Sequence, residues 1–210
     1  MAGSSAVIED GTALSMLDRA LHSVERMMAL VGGLAVFAMM LFAVVSVSGR
    51  NALNMPVPGY VDWITQLMPL IAFLAVSYAQ RDGTHIRMDL LIGQLRGRPL
   101  WAAEIVTVLG MLLLMVLLVW GSWAHFQRSF DWDAPLYSRD STIDIALPIW
   151  PAKLLAPVAF SVLCLRLLIQ LWGYARAFVL NLDTPVAVPL IRSAAQQAQD
   201  EAEALLGQDK

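Results

Sequence analysis

Few side chains in this sequence could bind a cofactor within an apolar segment. Haem ligation in a helical bundle needs histidines that face one another in its interior. The three histidines, His22, His85 and His125, lie before, between and at the end of apolar segments, so no two can meet across one haem. Cys164 is the only cysteine, which excludes a disulfide framework within one chain. Hydrolase, phosphate-loop and metal-binding patterns are also absent, so we predict no catalytic residue, metal ligand or cofactor.

Ion transport would need ionisable groups inside the apolar segments, or helices broken near their middle. Arg166 is the only charged residue inside the four apolar blocks 27–49, 63–80, 105–127 and 154–175. Because it precedes Trp172 at the segment end, its long side chain could either reach water at the interface or pair with a partner helix. Pro69 in the second segment predicts a simple kink, since neighbouring helices readily satisfy the carbonyl that a proline frees. The sequence therefore predicts no substrate-binding residue.

Four long apolar segments hold these residues, and they predict four transmembrane helices. A hydrocarbon core of about 30 Å needs about 20 helical residues. The predicted spans cover about 27–49, 61–80, 102–126 and 149–172. Only 15% of the residues are charged and 58% are hydrophobic, whereas soluble domains have about 25% charged residues. The predicted fold class is an all-α integral membrane protein with four transmembrane helices.

The chain divides into three predicted parts. Residues 1–26 form a cytoplasmic N-terminal segment with an amphipathic helix, whose apolar residues recur at spacings of three and four. That helix should lie along the inner membrane surface or pack on a partner. Residues 27–175 form the four-helix membrane domain, and residues 176–210 form an acidic cytoplasmic tail. Between spans two and three, mixed apolar and charged residues predict a short amphipathic helix in the inner interface.

The distribution of lysine and arginine predicts the orientation, because these residues are retained on the cytoplasmic side. Nine of them flank the spans on one side and four on the other, which places the N and C termini in the cytoplasm. The larger set is Arg19, Arg26, Arg81, Arg87, Arg96, Arg98, Arg176, Arg192 and Lys210, and the smaller is Arg50, Arg128, Arg139 and Lys153.

The tryptophans support the same span boundaries, because amphipathic rings favour the headgroup level. Trp101 and Trp172 lie toward the inner side, and the other five lie toward the outer side. We therefore expect aromatic belts at both interfaces.

Two stretches carry the pattern of a known family. The first includes Pro58, Gly59, Asp62 and Trp63, then Phe73, Leu74, Ala75, Ala79 and Arg81, and above all Gly83-Thr84-His85-Ile86-Arg87-Met88-Asp89. The second includes Ser141, Thr142, Leu147-Pro148-Ile149-Trp150, Lys153, Pro157 and Arg166. Through these stretches, the region from Arg26 to Trp172 resembles the small membrane subunit of tripartite ATP-independent periplasmic (TRAP) transporters, the DctQ-like family. One departure is Asp62, which stands where a glutamate is expected.

The resemblance implies a small scaffold subunit of a secondary transporter in the bacterial inner membrane. In such a system a large, DctM-like membrane subunit carries the substrate and sodium sites, and a periplasmic, DctP-like solute-binding protein delivers the solute. Sodium-driven uptake of an organic acid is the family expectation, with the coupling on the large subunit. Membrane lipids are further partners, whereas the absence of a basic patch argues against nucleic acid.

Seven residues are candidates for subunit contact or for a scaffold role under this resemblance. His85, Arg87 and Asp89 belong to the inner connection, Arg50, Asp62 and Trp150 lie on the outer side, and Arg166 lies in the fourth span.

Two other functions remain open from the sequence alone. One is a membrane-anchor subunit of an enzyme or redox complex, which co-purifying redox proteins would indicate. The other is a small self-sufficient carrier, which ion-coupled uptake by this chain alone would indicate.

Overall fold

A computed structural model describes residues 13–55, 57–81 and 98–180, and this part of the chain is almost entirely helical. The helices are α1 (Ala13–Leu53), α2 (Tyr60–Phe73), α3 (Val76–Arg81), α4 (Arg98–Ser129) and α5 (Trp150–Leu180), with a short 3-10 turn at Pro135–Tyr137. Four helical segments are long and apolar enough to cross a membrane: Ala13–Ala52, Tyr60–Arg81, Pro99–Ser129 and Trp150–Leu180. The predicted fold class is therefore confirmed. The predicted interfacial helix after span two and the tail beyond residue 180 lie outside the described residues.

Helix α1 is longer than the predicted first span. It runs without interruption for 41 residues, or about 61 Å at 1.5 Å per residue. The expected amphipathic helix is therefore the N-terminal part of the same helix. One narrow stripe is buried along its length and includes Leu14, Asp18, Glu25, Ala35 and Ser46. Because these residues recur near the helical period, a single face of α1 contacts the rest of the molecule.

The second span consists of α2 and α3, separated by Leu74 and Ala75. Pro69 lies inside α2, where it has no N–H to donate and its ring crowds the carbonyl one turn earlier. Leu74 nevertheless keeps right-handed helical dihedrals, φ −68° and ψ −28°, and donates its N–H to the Leu70 carbonyl at 3.2 Å. The span therefore has a local irregularity and lacks the long unwound segment typical of substrate-binding helices.

Helix α5 is the centre of the packing, since α1, α2, α3 and α4 all contact it. The apolar core lies mainly between α4 and α5 and contains Trp101, Val108, Leu163, Leu167, Tyr174 and Ala177. Trp101 is 5% exposed, and its ring lies 6.0 Å from that of Tyr174. The expectation that Trp101 faces the headgroups is wrong, because its ring fills the space between the two helices. Trp172, by contrast, is 53% exposed.

Candidate functional site

A cluster of buried charges joins α1, α3 and α5, with Arg166 at its centre. The Arg166 Nε atom donates to Glu25 Oε1 at 2.7 Å, and Nη2 donates to Glu25 Oε2 at 2.6 Å. The third nitrogen, Nη1, donates to Asp18 Oδ1. Arg166, Glu25 and Asp18 are all 0% exposed. A two-pronged arginine–carboxylate contact fixes orientation as well as charge, so this pair sets how α1 lies against α5.

Arg81 and Ser77 on α3 complete the cluster. Arg81 Nη2 donates to Asp18 Oδ2 at 2.8 Å, and the Ser77 hydroxyl donates to Glu25 Oε1 at 2.5 Å. Two arginines therefore face two carboxylates, and the formal charges cancel. Desolvating a charge costs several kcal/mol, which only close pairing with further hydrogen bonds offsets. The number and placement of these bonds explain how four charges can be buried together.

Two neutral contacts extend the same junction. Gln80 Nε2 donates to Gln170 Oε1 at 3.0 Å, and Gln170 Nε2 donates to the Gln80 carbonyl at 3.3 Å. The His22 ring stacks on Tyr78 with centroids 5.8 Å apart. Each contact joins α3 to a neighbouring helix. Together with the ion pairs, these contacts hold α1, α3 and α5 against one another. The carboxylates of Asp18 and Glu25 already accept hydrogen bonds from donors of the same chain.

The cluster tests the expectations for Arg166. The expectation that the Arg166 side chain reaches water is wrong, because this side chain is completely buried. Pairing is observed, but the partner helix is α1 of the same chain. Sequence reasoning missed Asp18 and Glu25 because both were assigned to the polar face of an amphipathic surface helix. Their spacing of seven, which puts both on one face of a helix, was the available signal.

At the end of the molecule that the sequence predicts to be the outer one, Asp62 fastens the segment between α4 and α5 to α2. Its Oδ2 atom accepts the backbone N–H groups of Asp144 at 3.0 Å and Ile145 at 2.8 Å, and the residue is 5% exposed. One turn later, Gln66 Nε2 donates to the Pro148 carbonyl at 2.6 Å. We call residues 130–149 the outer cap, because these bonds draw the segment over the helix ends.

Gly59 allows the outer cap to lie close to the turn before α2. Its φ of 67° is in the left-handed region, which residues with a Cβ avoid. A Cβ at this position would also lie 2.5 Å from the Ile145 Cδ1 atom. Beside this contact is an open pocket of about 680 Å³, whose lining includes Arg50, Tyr60 and Asp144. The structure therefore brings the candidates Arg50 and Asp62 near Asp144, which lines the pocket with Arg50 and donates its N–H to Asp62.

Trp150, the first residue of α5, packs against a second part of the outer cap. Its indole Nε1–H donates to the Leu136 carbonyl at 2.9 Å, and its ring packs edge-on against Phe130 with centroids 5.5 Å apart. Antiparallel backbone bridges join Phe130 to Ser138 and Ser141 to Pro148. Trp150 thus supports the fold of the cap rather than facing lipid with its whole ring.

An ion pair ties the outer cap to α5, and a hydrogen bond ties it to α4. The Asp140 carboxylate accepts a hydrogen bond from the Ser129 hydroxyl at 2.5 Å and one from Lys153 Nζ at 2.9 Å. The Ser129 hydrogen bond, and then the nearby Lys153 ammonium, lower the pKa of Asp140 below its usual value. The Arg139 guanidinium likewise lowers the pKa of Asp131, to which it donates at 2.9 Å. Both carboxylates are therefore held in the ionised form near neutral pH.

The described residues contain no group of three or more His, Cys, Asp or Glu side chains that could hold a metal ion. His85, Arg87 and Asp89 lie outside the described residues. The contacts proposed for them with a large subunit therefore stay predictions, as do the subunit contacts of the other four candidates.

Four spanning helices, an internally paired charge cluster and a folded outer cap define a helical integral membrane protein. The family model for the DctQ component of tripartite ATP-independent periplasmic transporters matches residues 39–177, more than half of the chain. The chain belongs to this family, and it is the small membrane subunit of a TRAP transporter. A comparison with curated proteins gives no match. The matched region includes Arg81 and Arg166, whereas Asp18 and Glu25 precede it.

Proposed function

We propose that this chain is the fixed scaffold of its transporter and has no enzymatic activity. In this proposal a large membrane subunit carries the substrate and sodium sites and moves against it. The observation that carries the proposal is the pairing of Arg166 with Glu25 and Asp18. A site for a mobile solute needs groups that exchange partners, whereas these groups already bind one another. The cluster instead stiffens the junction of three helices.

The exposed apolar faces of the helices support an extended contact with a partner subunit and with lipid. On α1, large side chains such as Phe37, Met40 and Val44 are more than half exposed. On α4, Val106 and Leu113 are exposed to a similar extent. Helices associate within membranes mainly through close packing of such surfaces. We propose that part of this surface contacts the large subunit and that lipid covers the rest.

The outer cap is the proposed contact with a periplasmic solute-binding protein. Arg50 and Asp144 line its open pocket, and Asp131 and Arg139 form an exposed pair nearby in sequence. Charges at the rim of an interface mainly tune docking rate and register. This assignment places the cap on the periplasmic side of a bacterial inner membrane and both termini in the cytoplasm. Sodium-driven uptake of an organic acid then follows as the proposed activity of the whole assembly.

Purification of the tagged chain from its native host in mild detergent tests the scaffold proposal. Recovery of a large multi-spanning subunit, together with sodium-dependent uptake that needs both chains, is the expected result. Recovery with a redox enzyme would instead support a membrane anchor. Uptake by the isolated chain in vesicles would support a self-sufficient carrier and would also contradict the proposal.

The inner connection offers a more specific test of assembly. Replacement of both Arg87 and Asp89 should reduce co-purification with the large subunit or lower uptake. Solute affinity of the isolated binding protein should not change, because that protein is unaltered. Normal assembly and uptake in the double variant would contradict a contact role for these residues.

A further inference from the structure

The outer cap exposes a group of large apolar side chains just beyond the end of α4. Trp132 is 77% exposed, Leu136 is 67% exposed and Tyr137 is 52% exposed. The Phe130 ring lies beneath them, with its centroid 5.0 Å from that of Trp132 and 6.3 Å from that of Tyr137. We call Trp132, Leu136 and Tyr137 the apolar patch. Single exposed apolar residues are common, whereas a contiguous group of them is typical of an interaction site.

The backbone beneath the patch has a strained conformation that hydrogen bonds hold in place. Leu136 and Tyr137 have φ values of 55° and 58°, in the left-handed region that residues with a Cβ seldom adopt. The Asp131 N–H donates to the Tyr137 carbonyl at 3.1 Å, and the Trp150 indole donates to the Leu136 carbonyl at 2.9 Å. Strained backbone of this kind is concentrated at functional sites. Because the patch is fixed before any partner binds, little entropy is lost in ordering it.

The patch lies farther out than the expected aromatic belt of α4. Trp120 and Trp123 are exposed, and tryptophans near the end of a span favour the headgroup level. From Trp123 to its last residue, Ser129, α4 continues for about 9 Å at 1.5 Å per residue, whereas the headgroup layer on each side is roughly 5–7 Å thick. The exposed residues of this last stretch are polar: His125, Gln127 and Arg128. The patch that follows α4 is therefore placed in water in the predicted orientation.

Acidic side chains flank the patch and favour a protein over lipid as its occupant. Trp132 lies between Asp131 and Asp133 in sequence, and the outer cap contains four aspartates and one arginine. Anionic lipid headgroups attract basic segments rather than acidic ones. A protein surface with an apolar pocket and a basic rim, by contrast, complements both the patch and its charge. Tryptophan and tyrosine are also among the residues that most often dominate the binding energy of protein interfaces.

We propose that the apolar patch is the anchor by which a soluble protein docks on the outer side of this subunit. Trp132 enters an apolar pocket of that protein, and basic residues at the border of the pocket face the aspartates of the outer cap. The partner is the solute-binding protein of the proposed function, on which this inference rests. The exposed pair of Asp131 and Arg139 mainly sets the docking rate and register, whereas the patch supplies the main apolar contact.

Binding of the purified solute-binding protein to the complex of both membrane subunits in lipid nanodiscs tests the proposal. Trp132→Ala should weaken the affinity about 30-fold, as truncation of a residue that dominates an interface does. Trp120→Ala is the matched control, because Trp120 is 74% exposed but belongs to the expected aromatic belt, and it should leave the affinity unchanged. Trp132→Phe keeps an apolar ring and should restore most of the affinity. An affinity of Trp132→Ala equal to that of the wild type would overturn the proposal.

The wild-type complex separates a failure of this inference from a failure of the proposed function. If the wild-type complex does not bind the solute-binding protein, the docking role of the outer cap is contradicted, and the anchor with it. If the wild type and Trp132→Ala bind equally well, docking stands and only the anchor is overturned.

A cross-linking measurement holds even if Trp132→Ala disturbs the fold of the outer cap. A photoreactive phenylalanine derivative at position 132 retains an aromatic ring there. With the solute-binding protein present, it should cross-link mainly to that protein. Cross-links mainly to lipid would show that the patch lies in the headgroup layer, and cross-links mainly to the large subunit would assign the patch to the contact between membrane subunits. Either result would overturn the proposal.

Discussion

Arg166 is fully buried in a span, and its charge is compatible with that position because two carboxylates of α1 lie within hydrogen-bond distance. Replacing one partner of a buried ion pair leaves the other charge uncompensated, at a cost of about 3–5 kcal/mol. We therefore expect Arg166→Gln to lower the free energy of unfolding by about that amount. Thermal unfolding of the purified protein in detergent measures the change. Arg139→Gln is the control and should have a much smaller effect, since that arginine pairs at an exposed site.

The coupling between Arg166 and Glu25 can be separated from the effect of either residue alone. In a double-mutant cycle, Glu25→Gln and Arg166→Gln together should destabilise the protein less than the sum of the two single changes. The reason is that the second substitution removes the charge that the first left unpaired. Strict additivity would show that the two side chains do not interact in the folded protein.

Gly59 combines a left-handed backbone with a close contact to Ile145. We expect Gly59→Ala to destabilise the protein by about 1–3 kcal/mol, the range for a residue held in a sparsely populated backbone region. Gly33→Ala is a matched control, because a Cβ there would have nothing within 4 Å and alanine favours helix. Thermal unfolding of both variants gives the comparison. Equal stability of the two variants would contradict a special role for Gly59.

Among the structural elements, the outer cap should contribute to stability in a pH-dependent way because of Asp140. Its folded-state pKa is lowered by the Ser129 hydrogen bond and by Lys153, so the ionised form stabilises the fold. This contribution is present above the unfolded pKa of about 3.9 and is lost as pH falls through the lower, folded pKa. The difference in midpoint temperature between wild type and Asp140→Asn should be constant from about pH 5 to 7 and should shrink below about pH 4. A difference that disappears near neutral pH would contradict this assignment.

Apolar content predicted the number and class of the helices, but it could not predict how polar residues pair between them. Each span can be predicted from a local pattern, because a run of about 20 apolar residues is enough to identify it. The pairing of Arg166 with Glu25 joins residues 141 positions apart, and no local pattern encodes such a distance. The length of α1 was missed for a related reason. The charges between its apolar residues, among them Asp18 and Glu25, predicted a separate amphipathic helix along the inner surface or on a partner. Arginines from α3 and α5 instead pair with both carboxylates inside the fold.

The same contrast holds for the candidate site, where the sequence identified a residue but not the groups that it contacts. Asp62 was identified as an outer residue, but its bonds to the Asp144 and Ile145 amides depend on how the outer cap folds back. That fold rests on left-handed backbone at Gly59 and Ala146, of which only the glycine is suggestive in a sequence. Sequence reasoning therefore finds the residues at the ends of spans more readily than their partners.

At the scale of the whole molecule, the buried charge cluster and the outer cap hold the spans together at opposite ends. Arg166 and its carboxylates join α1, α3 and α5, whereas Asp62 and Gln66 join α2 to the segment before α5. Both junctions use contacts within the chain. This leaves the apolar outer faces of α1 and α4 available for other subunits and for lipid, as the proposed scaffold role requires.

The orientation of the molecule in the membrane can also be tested, because the charge cluster and the outer cap lie at opposite ends of the spans. Four spans place both termini on one side of the membrane, and the excess of lysine and arginine predicts that this side is the cytoplasm. A reporter that is active only in the cytoplasm should therefore be active when fused after Lys210. A reporter that is active only after export should be active when inserted at Asp133, an exposed position of the outer cap. Exchanging the two reporters is the control and should abolish both signals. The opposite pattern would place the charge cluster on the periplasmic side and would contradict the docking role proposed for the outer cap.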